Sequence, residues 1–299
     1  MGQPTIATVN VSPLISNQPV DVVAPCLRRD LPKLALAYQN LRRFAAIKQL
    51  HVITARRDFA QFKNTLGKDV VLIDENEMIP GVTFAALKVI PLARFSQGPG
   101  WYFQQLLKFQ FAFHKPEDDH YLIWDADTVP LRPLEFFDTQ GRMLLTKAAE
   151  FHPPYFQTYE NLLGRPAQRE FSFIAQHMLV QKSVLRELLS EIEAHCPGDE
   201  NWAWKIMRNL GGEGSNRFSE YETYWHYLKE KYPERAVFRD LPWLRRGASE
   251  CGRYPSAAAL EKIGRDYYFA SFEDSENFYR RTGRKVRNWL RRWEKRFKK

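Results

Sequence analysis

Cysteine is scarce in this chain of 299 residues: Cys26, Cys196 and Cys251 are odd in number and widely spaced. They form neither a disulfide framework nor a zinc-ligand spacing, which suits a reducing, cytoplasmic setting. No apolar run reaches the roughly 18 residues that a membrane-spanning helix needs. The opening stretch, MGQPTIATVNVSPLISNQPV, lacks a basic start followed by an apolar core, so no secretory signal is expected. A Ser/Gly-rich linker and an internal repeat are also missing. Together these absences argue against a disulfide-stapled, membrane-spanning or repeat architecture.

What the chain does have is enough apolar material for a sizeable core, at 44% hydrophobic and 14% aromatic residues. Its net charge of +9 is unevenly spread. Residues 280–299, RRTGRKVRNWLRRWEKRFKK, carry eleven Lys/Arg against one Glu, so the remainder of the chain is close to neutral. At 100° per residue, Val286, Trp289, Leu290, Trp293 and Phe297 share one stripe of that segment, with cations around the rest. Such a pattern describes a helix lying on an anionic membrane surface. Phosphate affinity toward nucleic acid is the competing reading of the charge. No other segment looks like a nucleic-acid module, so no nucleic-acid partner is expected.

The hydrophobic periodicity reads as an α/β protein. VDVVAPC (residues 20–26 with Val20) is a buried strand, followed by a polar turn and a helix near 31–44. LHVIT (50–54) and DVVLIDE (69–75) are further strands, with a helix near 58–66 between them. This alternation predicts a parallel sheet with crossover helices. A long aromatic helix is expected within 98–115, then a fourth strand, YLIWDAD (121–127), and a fifth at 143–148. The second half predicts helices near 155–163, 183–195, 201–210 and 219–231, with short strands near 173–181, 236–240 and 266–272.

The chemistry gathers at YLIWDADTVPLRP (121–133), where two carboxylates, Asp125 and Asp127, follow a buried strand. Ligands of open α/β sheets bind beyond the carboxyl ends of strands. If the chain stays extended, residues two apart point the same way and can address one ion. Carboxylate oxygens suit Mg²⁺ or Mn²⁺, which neutralises charge on a departing diphosphate. The plain alternative is a pair of aspartates capping a turn before Pro130.

The surrounding segments carry a resemblance. VDVVAPCLRRDLPKL, DVVLIDENEMIPG, GWYFQQLLKFQFA, YLIWDADTVPLRPLEFFD, SFIAQHMLVQKSVLRELLSEIE and FSEYETYWHYL occur in that order. The set resembles GT-A-type glycosyltransferases with an Asp-x-Asp motif, and among them a bacterial, largely uncharacterised (DUF-type) group. The resemblance covers roughly residues 20–245. It implies a Rossmann-like, mixed but mostly parallel sheet flanked by helices, in a single catalytic domain over 18–275. Residues 18–150 would bind the nucleotide sugar, 151–275 would bind the acceptor, and 276–299 would be the basic amphipathic helix. The activity implied is transfer of a sugar from a nucleotide-sugar donor, UDP-linked by expectation, to a glycan or lipid-linked acceptor with Mn²⁺ or Mg²⁺. Surface polysaccharide or lipopolysaccharide assembly, at the inner face of the cytoplasmic membrane, is the setting it suggests. Asp125 would face ribose and metal, and Asp127 would be the main direct ligand.

Other candidates flank this pair. Ser219 is a good N-cap, and Glu220 and Glu222 then fall in a first helical turn, where acids complement the dipole. One of them could instead meet the acceptor or donor sugar, with Glu222 preferred and Glu220 second, since residues two apart face different ways on a helix. His177 lies in the apolar run FIAQHMLV, either as a hydrogen-bonded core residue or as a group reaching acceptor or diphosphate. Gln104 and Lys108 share a helix face, and Lys108 could meet phosphate. Arg28 and Asp30 follow the first strand, where the resemblance places base and ribose.

Two rival readings remain. DADTV also matches the first motif of haloacid-dehalogenase-type phosphatases, with Asp125 as nucleophile and Asp127 as acid/base. That nucleophile normally ends the first strand of its domain, whereas three strand–helix units precede Asp125 here. A non-enzymatic membrane-associated binding protein would explain the basic tail but not the carboxylates.

Overall fold

The structure, a computed structural model, describes residues 18–90, 98–115, 118–167 and 170–273. The expected helix at 276–299 and its membrane-facing stripe lie outside the described residues.

In chain order the first half comprises β1 (Val20–Pro25), α1 (Leu31–Phe44), β2 (Ile47–Thr54), α2 (Phe59–Leu66), β3 (Val71–Asp74), α3 (Phe84–Leu87), α4 (Pro99–Gln110), β4 (His120–Trp124), β5 (Thr128–Pro130) and β6 (Met143–Thr146). The second half comprises α5 (Pro153–Leu163), β7 (His177–Gln181), α6 (Lys182–His195), α7 (Trp202–Arg208), α8 (Glu220–Lys231), β8 (Ala236–Arg239), α9 (Gly247–Cys251), α10 (Ala257–Ile263) and β9 (Phe269–Ser271). Local chemistry sets several boundaries. Helix α1 has Pro32 in its first turn and Arg42 and Arg43 in its last, matching a helix's needs at both ends. Helix α8 opens on Ser219, whose hydroxyl accepts from the Glu222 amide at 3.3 Å, and closes on Lys229 and Lys231.

The central sheet has five strands in the order β3-β2-β1-β4-β7. The β1–β2, β2–β3 and β1–β4 pairs are parallel, and β4–β7 is antiparallel. The fold is therefore mixed α/β with a mostly parallel sheet flanked by helices, as expected. The inner strands read as nearly continuous apolar runs because helices cover them; Val22, Val23, Leu122, Ile123 and Trp124 are fully buried. Two short pairs lie outside this sheet: β5 with β9, antiparallel, and β6 with β8, parallel. A smaller apolar cluster of Ala37, Val129, Leu131, Leu260, Ala270 and Phe272 joins the β5–β9 pair to α1 and α10.

Three local expectations change. The strand expected over 173–181 begins only at His177, because Gln176 adopts a left-handed backbone with φ 64° that ends pairing. The long helix expected within 98–115 stops at Gln110 and continues as a single 3₁₀ turn, Phe111–Phe113. The aspartate segment is a turn rather than extended strand: the Thr128 amide donates to the Asp125 carbonyl at 3.0 Å, and the Trp124 indole donates to the Thr128 carbonyl at 2.7 Å. The pleat argument for two parallel-facing carboxylates thus gives way to a turn that gathers them.

Candidate active site

The strand order reverses between β1 and β4, whose carboxyl ends are the usual place for a crevice in such sheets. Asp125 follows β4 there. Because β7 runs antiparallel, its first residue, His177, pairs with Trp124, the last of β4. The residue before β7 is thereby delivered to the same edge: the Asp125 amide donates to the Gln176 carbonyl at 3.0 Å. The same logic acts on Asp127. Strand β9 is antiparallel to β5, Thr128 pairs with Ser271, and the Phe272 amide donates to the Asp127 carbonyl at 2.9 Å. Glu273 follows directly. Two antiparallel pairings thus bring Gln176 and Glu273, both late in the chain, to the carboxylate turn.

The two aspartates have different surroundings. Asp125 is held on both oxygens. Its Oδ1 accepts from Lys108 Nζ at 2.6 Å. With the Gln176 amide nitrogen turned toward the carboxylates, it donates to Asp125 Oδ2 at 3.1 Å and to Glu273 Oε1 at 3.2 Å, while the amide oxygen accepts from Arg245 Nη1 at 3.0 Å. Arg245 also pairs with Glu150 at 2.9 Å. The Asp127 side chain, by contrast, receives no hydrogen bond from the described residues. Its pKa is pushed up to about 7 by burial first, then by the charges of Asp125 and Glu273, with Lys33 opposing.

Lys108 reaches the turn from α4 and bridges Asp125 to α8, donating to Glu220 Oε1 at 2.6 Å. Burial opposes its charge, but Asp125 and Glu220 outweigh that and raise its pKa above the ordinary lysine value. The ring of Tyr221 lies 5.0 Å from the same ammonium. The Glu220 amide in turn donates to Gln105 Oε1 at 3.0 Å, docking the start of α8 on α4. Burial raises the Glu220 pKa, with Lys108 opposing.

The other candidates fall as follows. Lys108, Asp125, Asp127 and Glu220 come together. Glu222, two residues along α8, faces the other way: Oε1 accepts from Ser172 Oγ at 2.6 Å and the Phe173 amide at 3.2 Å, and Oε2 lies 3.2 Å from His226 Nε2. The order of preference between the two glutamates is therefore corrected, since the helical twist turns Glu220 and not Glu222 toward the aspartates. His177 points into the core. Its ring stacks on Trp124 with centroids 5.2 Å apart, its Nδ1 lies 3.0 Å from the Ala175 carbonyl, and Nε2 lies 3.4 Å from Thr146 Oγ1. Burial, then the Arg239 charge, lower its pKa to about 3, so the ring is neutral. Gln104 is half-buried on α4, but its neighbour Gln105 makes the bond to α8. Asp30 lies near Lys33 and raises the Asp127 pKa slightly, whereas Arg28 is largely exposed and 3.8 Å from Asp58.

Gln176, Glu273, Arg245, Tyr221 and Gln105 complete the site and were not singled out from the sequence. Gln176 had one signal, a long polar side chain interrupting an apolar run. Arg245 and Glu273 had none, because only pairing of β9 with β5 brings them in.

Among the described residues no group of three or more His, Cys, Asp or Glu side chains has metal-ligand geometry. The pair nonetheless suits a hard divalent cation: the Asp127 carboxylate receives no hydrogen bond from the described residues, and Asp125 is held beside it by Lys108. What emerges is a mixed α/β protein with an acidic, pre-organised site at a strand-order reversal. The chain belongs to the Family of unknown function (DUF6492), whose model matches residues 17–240. No curated protein sequence matches it. Among solved structures it is similar to the galactosyltransferase LgtC in complex with donor and acceptor sugar analogues, at 12% identity over 85% of this chain and 87% of that one, with TM-score 0.46. It is also similar to mouse xyloside xylosyltransferase 1 in its apo form, at 14% identity over 86% of this chain and 99% of that one, with TM-score 0.44. Neither likeness assigns a role to a residue here.

Proposed function

We propose that the protein is a metal-dependent glycosyltransferase that uses a nucleotide-sugar donor. The observation that carries this reading is the unequal treatment of the two aspartates at the β1/β4 reversal. Asp125 is clamped by Lys108 and Gln176, and Asp127 receives no hydrogen bond from the described residues. Asp127, with Asp125 beside it, would hold Mn²⁺ or Mg²⁺, and the ion would supply charge neutralisation to a departing nucleoside diphosphate. Lys108 orients Asp125 through the 2.6 Å hydrogen bond to its Oδ1. Glu220 acts through Lys108 as its second counter-charge. The donor is expected to be UDP-linked, the acceptor a glycan or lipid-linked saccharide, and the setting bacterial surface-polysaccharide or lipopolysaccharide assembly in the cytoplasm. The basic stretch 280–299 would hold the enzyme at the inner membrane face, so a version ending at Tyr279 should lose binding to anionic liposomes.

The test is release of nucleoside diphosphate from a panel of nucleotide sugars with Mn²⁺. Wild type should hydrolyse at least one donor slowly, and Asp127→Ala should not. Release of inorganic phosphate from simple esters, abolished by Asp125→Asn, would instead establish the phosphatase reading and overturn this one.

A further inference from the structure

Gln176 stands out on grounds of its own. It is 5% exposed and has φ 64°, a left-handed backbone that a side chain bearing a Cβ rarely adopts. Of the described non-glycine residues with positive φ, the other is Lys115, which precedes β4 and pairs with Asp21 at 3.5 Å. A strained backbone persists only where its surroundings over-determine it, and such positions cluster at functional sites. Here the surroundings are specific. The Gln176 carbonyl accepts from the Asp125 amide, and its amide nitrogen lies between Asp125 Oδ2 and Glu273 Oε1, with Arg245 Nη1 on the amide oxygen. A carboxamide is the one neutral group that can donate to two carboxylates and accept from a guanidinium at once. A carboxylate there would add a fourth acid to Asp125, Asp127 and Glu273. A hydrocarbon would leave Asp125 Oδ2 and Arg245 Nη1 without this partner.

We infer that Gln176 is a positioning residue for the aspartate pair. Its left-handed turn places the carboxamide where it orients Asp125 and ties it to the segment after β9, through Glu273 and Arg245. This inference rests on the metal-binding reading above and extends it. The group orienting one carboxylate of the pair would come from the amino end of an antiparallel strand rather than from the Asp-x-Asp segment.

The experiment uses Gln176→Ala and Gln176→Gly in the full-length chain. Mn²⁺ affinity is read directly by electron paramagnetic resonance of the free ion, alongside melting temperature and nucleotide-sugar hydrolysis. Both variants lose the carboxamide, and only glycine is free of the backbone strain. Both should weaken Mn²⁺ binding by a similar factor of about ten, as loss of a group orienting a ligand does. The glycine variant should still melt above the alanine variant by about 2 °C, since strain is relieved at some entropic cost. Recovery of wild-type Mn²⁺ affinity in Gln176→Gly would mean that the position serves only the turn, and overturns the inference. So would unchanged affinity in both variants. If wild type itself binds no Mn²⁺, the metal-binding reading fails first and this inference falls with it. Loss confined to the two variants supports both.

Discussion

Replacing Lys108 with methionine should be among the most damaging single changes in this protein. The side chain is 3% exposed and serves two carboxylates at 2.6 Å each, Asp125 at 20% side-chain exposure and Glu220 at 4%. Methionine keeps the unbranched stem and removes only the charge and donors. Taking away one partner of a buried ion pair typically costs about 3–5 kcal/mol, because the remaining charge is left desolvated. Glu220 is that charge, for Asp125 keeps Gln176 and some solvent. Asp125 and Glu220 raise the Lys108 pKa in the folded state despite burial. A raised lysine pKa stabilises fully below the unfolded value of about 10.4 and is lost only as pH rises beyond it. A urea unfolding curve at pH 7 therefore reads the complete effect. The double variant Lys108→Met/Glu220→Gln removes the stranded charge as well, and should recover about 2 kcal/mol with an unchanged slope against urea. The reasoning is refuted if Lys108→Met lies within about 1 kcal/mol of wild type, or if the double variant recovers nothing.

Other outcomes can be checked with the same material. Asp127→Asn should abolish Mn²⁺-dependent turnover yet leave stability unchanged or higher in urea at pH 8, because the carboxylate receives no hydrogen bond from the described residues and its charge is opposed by burial and by Asp125 and Glu273. His177 has a folded pKa lowered to about 3. The stabilisation is complete above the unfolded value near 6.5 and is lost as pH falls toward 3, by roughly 1.4 kcal/mol per pH unit. His177→Phe should flatten the pH dependence of urea stability below pH 6. Glu222→Ala strands the buried donors Ser172 Oγ and Phe173 N–H, and should cost about 2 kcal/mol or more by urea unfolding, whereas Glu222→Gln keeps an acceptor and should cost less.

The legible part of the site was the part written locally. Asp125 and Asp127 are adjacent to an apolar strand, Lys108 sits on an aromatic helix, and Glu220 follows a Ser N-cap. Each is visible in a window of a few residues. Choosing between Glu220 and Glu222 required knowing which face of α8 meets α4, and both helices are buried over most of their length. His177 and Gln176 are neighbours in the same run, and side chains alternate along a strand. A shift of one residue in where β7 begins exchanges which of them reaches the aspartates. That start is set by the left-handed turn at Gln176, which no composition rule anticipates at a glutamine.

Sequence alone determined the order of the longer strands and helices but not the short elements α3, β5, α9 and α10, and it determined the parallel character of the first half and the position of an acidic pair at a strand's carboxyl end. These follow from short-range periodicity and from the crossover connections that parallel strands require. Only the tertiary structure decided that the fifth strand of the sheet is antiparallel, that β9 pairs with β5, and that Gln176, Arg245 and Glu273 join the aspartates. Those contacts span about 50 to 150 residues of sequence. They depend on the register of long-range pairing and on buried charge balance, which only the folded chain expresses.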